Sequence, residues 1–72
     1  MRKLNTERLK ELREAKNWNW SDFARQLGTE VSTPPKWERG QAQPHPRMLA
    51  RIAELFDVDV EELTKEVSPD QN

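Results

Sequence analysis

Apolar residues recur along this chain at helical spacing, and the clearest case lies late in it. Leu49, Ile52, Ala53 and Phe56 follow i, i+3, i+4, i+7, the stripe of an amphipathic helix. His45 stands where an N-cap belongs and Pro46 at the first helical position, so a helix is predicted from Pro46 to Phe56. Earlier in the chain Leu9 and Leu12 form the inner face of a helix running from Asn5 or Thr6 to Lys16, with Leu4 or Ala15 extending the stripe. Between these two lies a denser pattern over residues 19–40. Asn19 is a good N-cap, and Asp22 sits three positions on, in a capping-box arrangement. Phe23, Ala24 and Leu27 then make one apolar stripe, and Gly28 follows where a left-handed C-cap belongs.

A short turn leads on to Thr33, a second cap candidate, and to a helix closed by Gly40. Proline lacks an N–H and clashes with the preceding turn, and Pro35 disfavours the helical region at Pro34. This helix therefore starts at Thr33 or Pro34 and is short, with Trp37 turned inward and Lys36 outward. After a turn at Asp57-Val58, Asp59 and Glu62 predict a capping box for a last helix that ends near Glu66, while Val58, Val60 and Leu63 close the core. Met1 to Leu4 reads as a frayed basic arm, and residues 67–72 as a polar tail outside a domain over residues 1–66. The elements are all helices, so the fold class is all-α.

Composition narrows the picture. A chain of 72 residues is expected to form one domain with a small core. It has no cysteine and a single histidine, so neither disulfides nor a metal site are expected, and the setting is expected to be cytoplasmic. No apolar run is long enough for a membrane span, and no secretion signal is expected. The net charge of −1 argues against a nucleic-acid binder, but its distribution does not: residues 1–30 carry +2, residues 31–51 carry +3 and residues 52–72 carry −6. No Gly-rich phosphate loop, thiol nucleophile or metal-ligand cluster is present, and His45 and Ser32 lack a third group to orient them. Neither an enzyme nor a cofactor is expected.

Two short helices joined by a Gly-containing turn are a helix-turn-helix, whose second helix enters a DNA major groove in its best-known uses. Together with ERLKELREAKN, the F-A-x-x-L-G at 23–28, the W-E-R-G at 37–40 and RMLARIAELFDVDVEEL, residues 6–65 resemble a phage Cro/C1-type (Xre-like) helix-turn-helix domain. The resemblance implies a lambda-repressor-like compact bundle of about five short helices. It also implies a bacterial or phage transcription regulator, such as a repressor, that binds duplex DNA in a sequence-specific way as a homodimer. It further implies that Arg13 pairs with Glu38, that the helix over residues 19–28 docks on the backbone, and that the next helix presents its first turn to the bases.

The candidate DNA-binding residues follow from that placement. Ser32, Thr33 and Lys36 are available to the groove. Asn19 and Trp20 open the docking helix. Arg39, Gln41, Gln43 and Arg47 flank the unit as phosphate contacts, the glutamines as hydrogen-bond donors. His45 reads as a cap, with phosphate contact as its alternative. Several residues depart from the family pattern: Trp20 stands where relatives often carry Gln, Glu30 puts a carboxylate near the phosphates, and Pro34-Pro35 interrupt the reading end. These departures support a second reading, in which Trp20 and Val31 form an apolar patch for a protein partner. Trp20 itself either packs at its helix end or stays exposed.

Overall fold

The computed structural model describes residues 2–66. In chain order it contains strand β1 (Arg2–Leu4), helices α1 (Thr6–Ala15), α2 (Trp20–Leu27), α3 (Thr33–Glu38) and α4 (Pro46–Phe56), a single 3-10 turn (Val60–Leu63) and strand β2 (Thr64–Glu66). The architecture is the expected all-α helix-turn-helix bundle, with two local differences at the chain ends. The basic arm is not frayed over Arg2–Leu4. It pairs antiparallel with β2 in the register Arg2 to Glu66, Lys3 to Lys65 and Leu4 to Thr64. The expected fifth helix is reduced to the 3-10 turn, and the Asp59 side chain makes no cap bond.

The physical reason lies in competing partners. The Glu62 carboxylate, which a capping box would turn back to Asp59, instead accepts from the Arg8 guanidinium on α1, with Arg8 Nε at 2.9 Å. A helix of one or two turns has little cooperative gain of its own, and here a partner strand satisfies the backbone instead. Asn5 N–H donates to the Leu63 carbonyl at 2.7 Å, and Leu4 N–H donates to Gln43 Oε1 at 3.0 Å. The Arg2 guanidinium adds bonds to Thr64 Oγ1 at 2.8 Å and to its carbonyl at 3.0 Å. Leu4 is thereby buried beside Leu63, whereas Val60, expected in the core, is 40% exposed.

One apolar cluster joins every element except β2: Leu4, Leu9, Phe23, Leu27, Trp37, Ile52, Ala53, Phe56 and Leu63. Phe23 sits among the other aromatic rings, 5.4 Å from Phe56, 6.3 Å from Trp37 and 6.4 Å from Trp18 between centroids. Trp18, in the turn between α1 and α2, packs partly buried against this cluster. Helices α1 and α4 carry side-chain caps at their starts. Asn5 Oδ1 accepts from Arg8 N–H and His45 Nδ1 from Met48 N–H, while Asp57 closes α4 in the left-handed region with φ 56°. No helix of the described residues is long and apolar enough to cross a membrane.

Candidate nucleic-acid interface

Helix α2 is held by its own residues. Asn19 Oδ1 accepts from Asp22 N–H at 2.8 Å, and Asp22 Oδ2 accepts from Asn19 N–H at 3.1 Å, a complete capping box. At the other end Gly28 adopts φ 76°, a conformation that a Cβ would strain. This lets Gly28 N–H and Thr29 N–H both reach the Ala24 carbonyl, at 2.8 and 3.0 Å. Phe23, Ala24 and Leu27 face the core. The chain then turns through residues 29–32 and enters α3.

Helix α3 begins at Thr33 with Ser32 as its N-cap residue, and no side chain caps it. Thr33, the expected cap, is the first helical residue. The prolines do not block the helix. They occupy its first turn, where backbone N–H groups have no intrahelical partner in any case, and both are buried against the core with Trp37. With Pro34, Pro35 and Trp37 inside, the residues left outside are Ser32, Lys36 and Arg39, preceded by exposed Glu30 and Val31. Thr33 is half-buried. Beyond α3 the Lys36 carbonyl accepts from Gln41 N–H at 2.8 Å and Ala42 N–H at 3.3 Å, which fixes the loop carrying Gln41.

Arg13 and Glu38 form a two-pronged ion pair between α1 and α3. Arg13 Nε donates to one Glu38 carboxylate oxygen at 2.7 Å and Nη2 to the other at 3.2 Å. Their side chains are only 11% and 8% exposed. A third bond, from Arg13 Nη1 to the Trp18 carbonyl at 2.7 Å, ties in the turn before α2. The pair is therefore an internal fastening among three segments rather than a solvated surface contact.

Trp20 is 37% exposed at the start of α2. Its indole lies beside two guanidinium groups, with the Arg13 and Arg39 Cζ atoms each 5.8 Å from the ring centroid. Arg39 comes from the C-cap of α3, nineteen positions further along the chain, and no residue pattern announces the contact. Of the remaining candidates, Asn19 has its side-chain oxygen occupied by the cap, and Gln43 has its side-chain oxygen on Leu4 N–H. The Gln43 amide NH2 makes no protein bond among the described residues. Arg47 is exposed in the first turn of α4. Arg51, one turn on and not among the sequence-based candidates, is also exposed, with Nη2 3.9 Å from where a Cβ on Gly28 would lie. Among the described residues Lys36, Arg39, Arg47 and Arg51 have no carboxylate partner, whereas Arg2, Arg8, Arg13 and Arg25 all have one.

Comparison with known proteins places this arrangement. The HTH_3 helix-turn-helix family model matches residues 9–63. The HTH-type transcriptional regulator AnsR of Bacillus subtilis (strain 168) is 42% identical over 60 residues, 83% of this chain and 52% of that protein. The chain thus spans about half the length of this curated relative. The crystal structure of the restriction-modification controller protein C.AhdI from Aeromonas hydrophila matches with a TM-score of 0.72 and 31% identity, covering 81% of this chain and 88% of that one. A transcriptional regulator from Listeria innocua matches with a TM-score of 0.76 and 25% identity, covering 90% of this chain and 64% of that one. With a family model that runs from α1 through the closing 3-10 turn, the chain belongs to the Cro/C1-type helix-turn-helix family.

Proposed function

We propose that this chain is a sequence-specific duplex-DNA-binding transcription regulator whose α2–α3 unit docks on the major groove. One observation carries the reading most directly. Helix α3 turns both its prolines and Trp37 into the core, and so leaves Ser32, Lys36 and Arg39 outside with neither cation neutralised by a carboxylate. The related proteins named as transcriptional regulators and as a restriction-modification controller support the same reading.

In the docked state α2 lies along the backbone, and the start of α3 faces the base edges. Lys36 is the chief base or phosphate contact, with Ser32 and Thr33 beside it. Arg39, Gln41, Arg47 and the free amide NH2 of Gln43 hold phosphates around Asn19 and Trp20. Val31, 52% exposed just ahead of α3, offers an apolar group to a thymine methyl. Two copies bind as a homodimer on a two-fold site, with half-sites about one helical turn apart.

The test is selection of bound duplexes from a random pool at two salt concentrations. Enrichment of an inverted repeat, with Lys36→Ala weakening its binding by roughly fivefold or more, supports the reading. Retention without any motif, lost at the higher salt, reduces it to backbone binding. The exposure of Trp20 and Val31 also suits a protein-contact surface, and no retention at either salt would favour that second reading.

A further inference from the structure

We propose that Trp20 is a positioning residue of this interface: its indole holds the Arg39 guanidinium ready for a backbone phosphate. The inference rests on the DNA-binding reading above, and it starts from a charge imbalance in the Arg13, Trp20, Glu38 and Arg39 cluster.

Glu38 and Arg39 are adjacent, so Glu38 is the carboxylate nearest to Arg39 in sequence. It is not available. Both its oxygens are taken by Arg13, and its side chain is 8% exposed. Arg13 is equally committed, to Glu38 and to the Trp18 carbonyl. Arg39 is thus an exposed cation with its neighbouring countercharge withdrawn, and its guanidinium lies against the Trp20 ring, 5.8 Å from the centroid. A partly exposed indole attracts a guanidinium modestly, without neutralising it and without occupying its five donors. An anion can therefore still bind the same group. A carboxylate partner would have to be displaced first.

The benefit to binding is entropic. A long free side chain loses rotamer freedom when it binds a phosphate, and a side chain already staged loses less. Trp20 joins the start of α2 to the end of α3 through this contact, so the charge is held at the junction of the two helices that dock. This also gives the tryptophan a use that is neither core packing nor a hydrogen bond. A large apolar residue left 37% exposed beside two cations is otherwise poorly accounted for by packing.

The experiment is a double-mutant cycle on binding to the selected duplex, with a readout on the free protein. Arg39→Ala is expected to weaken binding and to lower the salt slope by about one unit. Trp20→Leu is expected to weaken binding about three- to tenfold with the slope nearly unchanged, because the phosphate contact still forms. Trp20→Phe should restore most of the loss. In the Arg39→Ala background Trp20→Leu should have no further effect. In the free protein the Arg39 side-chain protons should be shifted upfield by the indole ring current and return to ordinary positions in Trp20→Leu. A Trp20→Leu loss that persists undiminished without Arg39 would mean that the indole touches DNA itself, and would overturn the proposal. So would ring-current shifts that are absent in the wild type. A wild-type chain that binds no duplex would sink the DNA-binding reading and this one with it, whereas a binding wild type with no coupling in the cycle sinks this one alone.

Discussion

Helices α2 and α3 are neighbours in one motif, yet they are stabilised in opposite ways. Helix α2 has eight residues, a reciprocal capping box, a left-handed glycine at its end and one clean apolar stripe. Helix α3 has six residues, no side-chain cap, and prolines through its first turn. Isolated helices of this length do not persist in water, and α3 has less local support than α2. What holds it is tertiary. Trp37 is 4% exposed in the core, Glu38 is fastened to Arg13 on α1, and the Lys36 carbonyl anchors the following loop. The difference assigns tasks. Helix α2, proposed to dock on the backbone, is specified by nearby residues, whereas α3, proposed to read the bases, keeps its outer positions free of structural duty because its inner positions are fixed from elsewhere.

The contrast breaks most visibly where α3 meets the core. Trp37→Ala removes a buried indole packed edge-on against Phe23 at 6.3 Å between centroids. It is expected to cost about 3–5 kcal/mol, a large share of the roughly 4–11 kcal/mol that a domain of this size holds. Urea unfolding should show a partly or wholly unfolded variant. A loss under about 1 kcal/mol would mean that α3 is not held by Trp37. The next largest effect is expected at Glu38. Glu38→Ala strands the Arg13 guanidinium at 11% exposure with no carboxylate, only the Trp18 carbonyl and the Trp20 ring beside it, at a cost on the order of 3 kcal/mol. Replacing both partners together, as Arg13→Met with Glu38→Leu, should cost less than Glu38→Ala alone, because no unpaired charge remains. If the double variant is the less stable of the two, the pair is a net contributor in its own right.

What was legible in the sequence follows the same division. Asn19, Asp22 and His45 lie within a turn of the backbone groups they satisfy, and Gly28 and Pro46 act through their own backbone angles, so their spacing predicts the caps and bounds of α2 and α4 directly. The i, i+3, i+4, i+7 stripe ending at Phe56 does the same for the core. The chain ends were not legible. Pairing of β1 with β2 joins Arg2 to Glu66 across nearly the whole described chain, and neither three-residue strand has an alternating pattern long enough to register. Asp59 and Glu62 carry a sound local capping signal that loses to Arg8, a partner far away in sequence. The candidate interface divides likewise. Outward Lys36 and inward Trp37 follow from spacing, but the Trp20–Arg39 contact and the burial of Pro34 and Pro35 depend on how α3 sits on the rest. From local rules the prolines look like an interruption of α3, whereas in the fold they are part of its seat.

The smallest expected effects separate capping from packing. Asn19 and Ser32 are both short polar N-cap residues at helix starts in the same motif, and both are exposed. Only Asn19 makes the cap bond, its Oδ1 accepting from Asp22 N–H at 2.8 Å, and its own N–H donates the return bond to Asp22 Oδ2 at 3.1 Å. Asn19→Ala should therefore cost about 1 kcal/mol. Ser32→Ala removes no cap bond and should stay within about 0.5 kcal/mol of the wild type. Urea unfolding at a common m-value measures both. The same two substitutions should act differently on duplex binding. Asn19→Ala lowers it mainly by loosening α2. Ser32→Ala, silent in stability, should relax base preference at a single position of the selected site, since a hydroxyl that caps nothing is free to face a base edge. Equal stability losses at the two positions would mean that Ser32 caps α3 in solution. Helix α3 would then be held by a cap at its start as well as by its tertiary contacts.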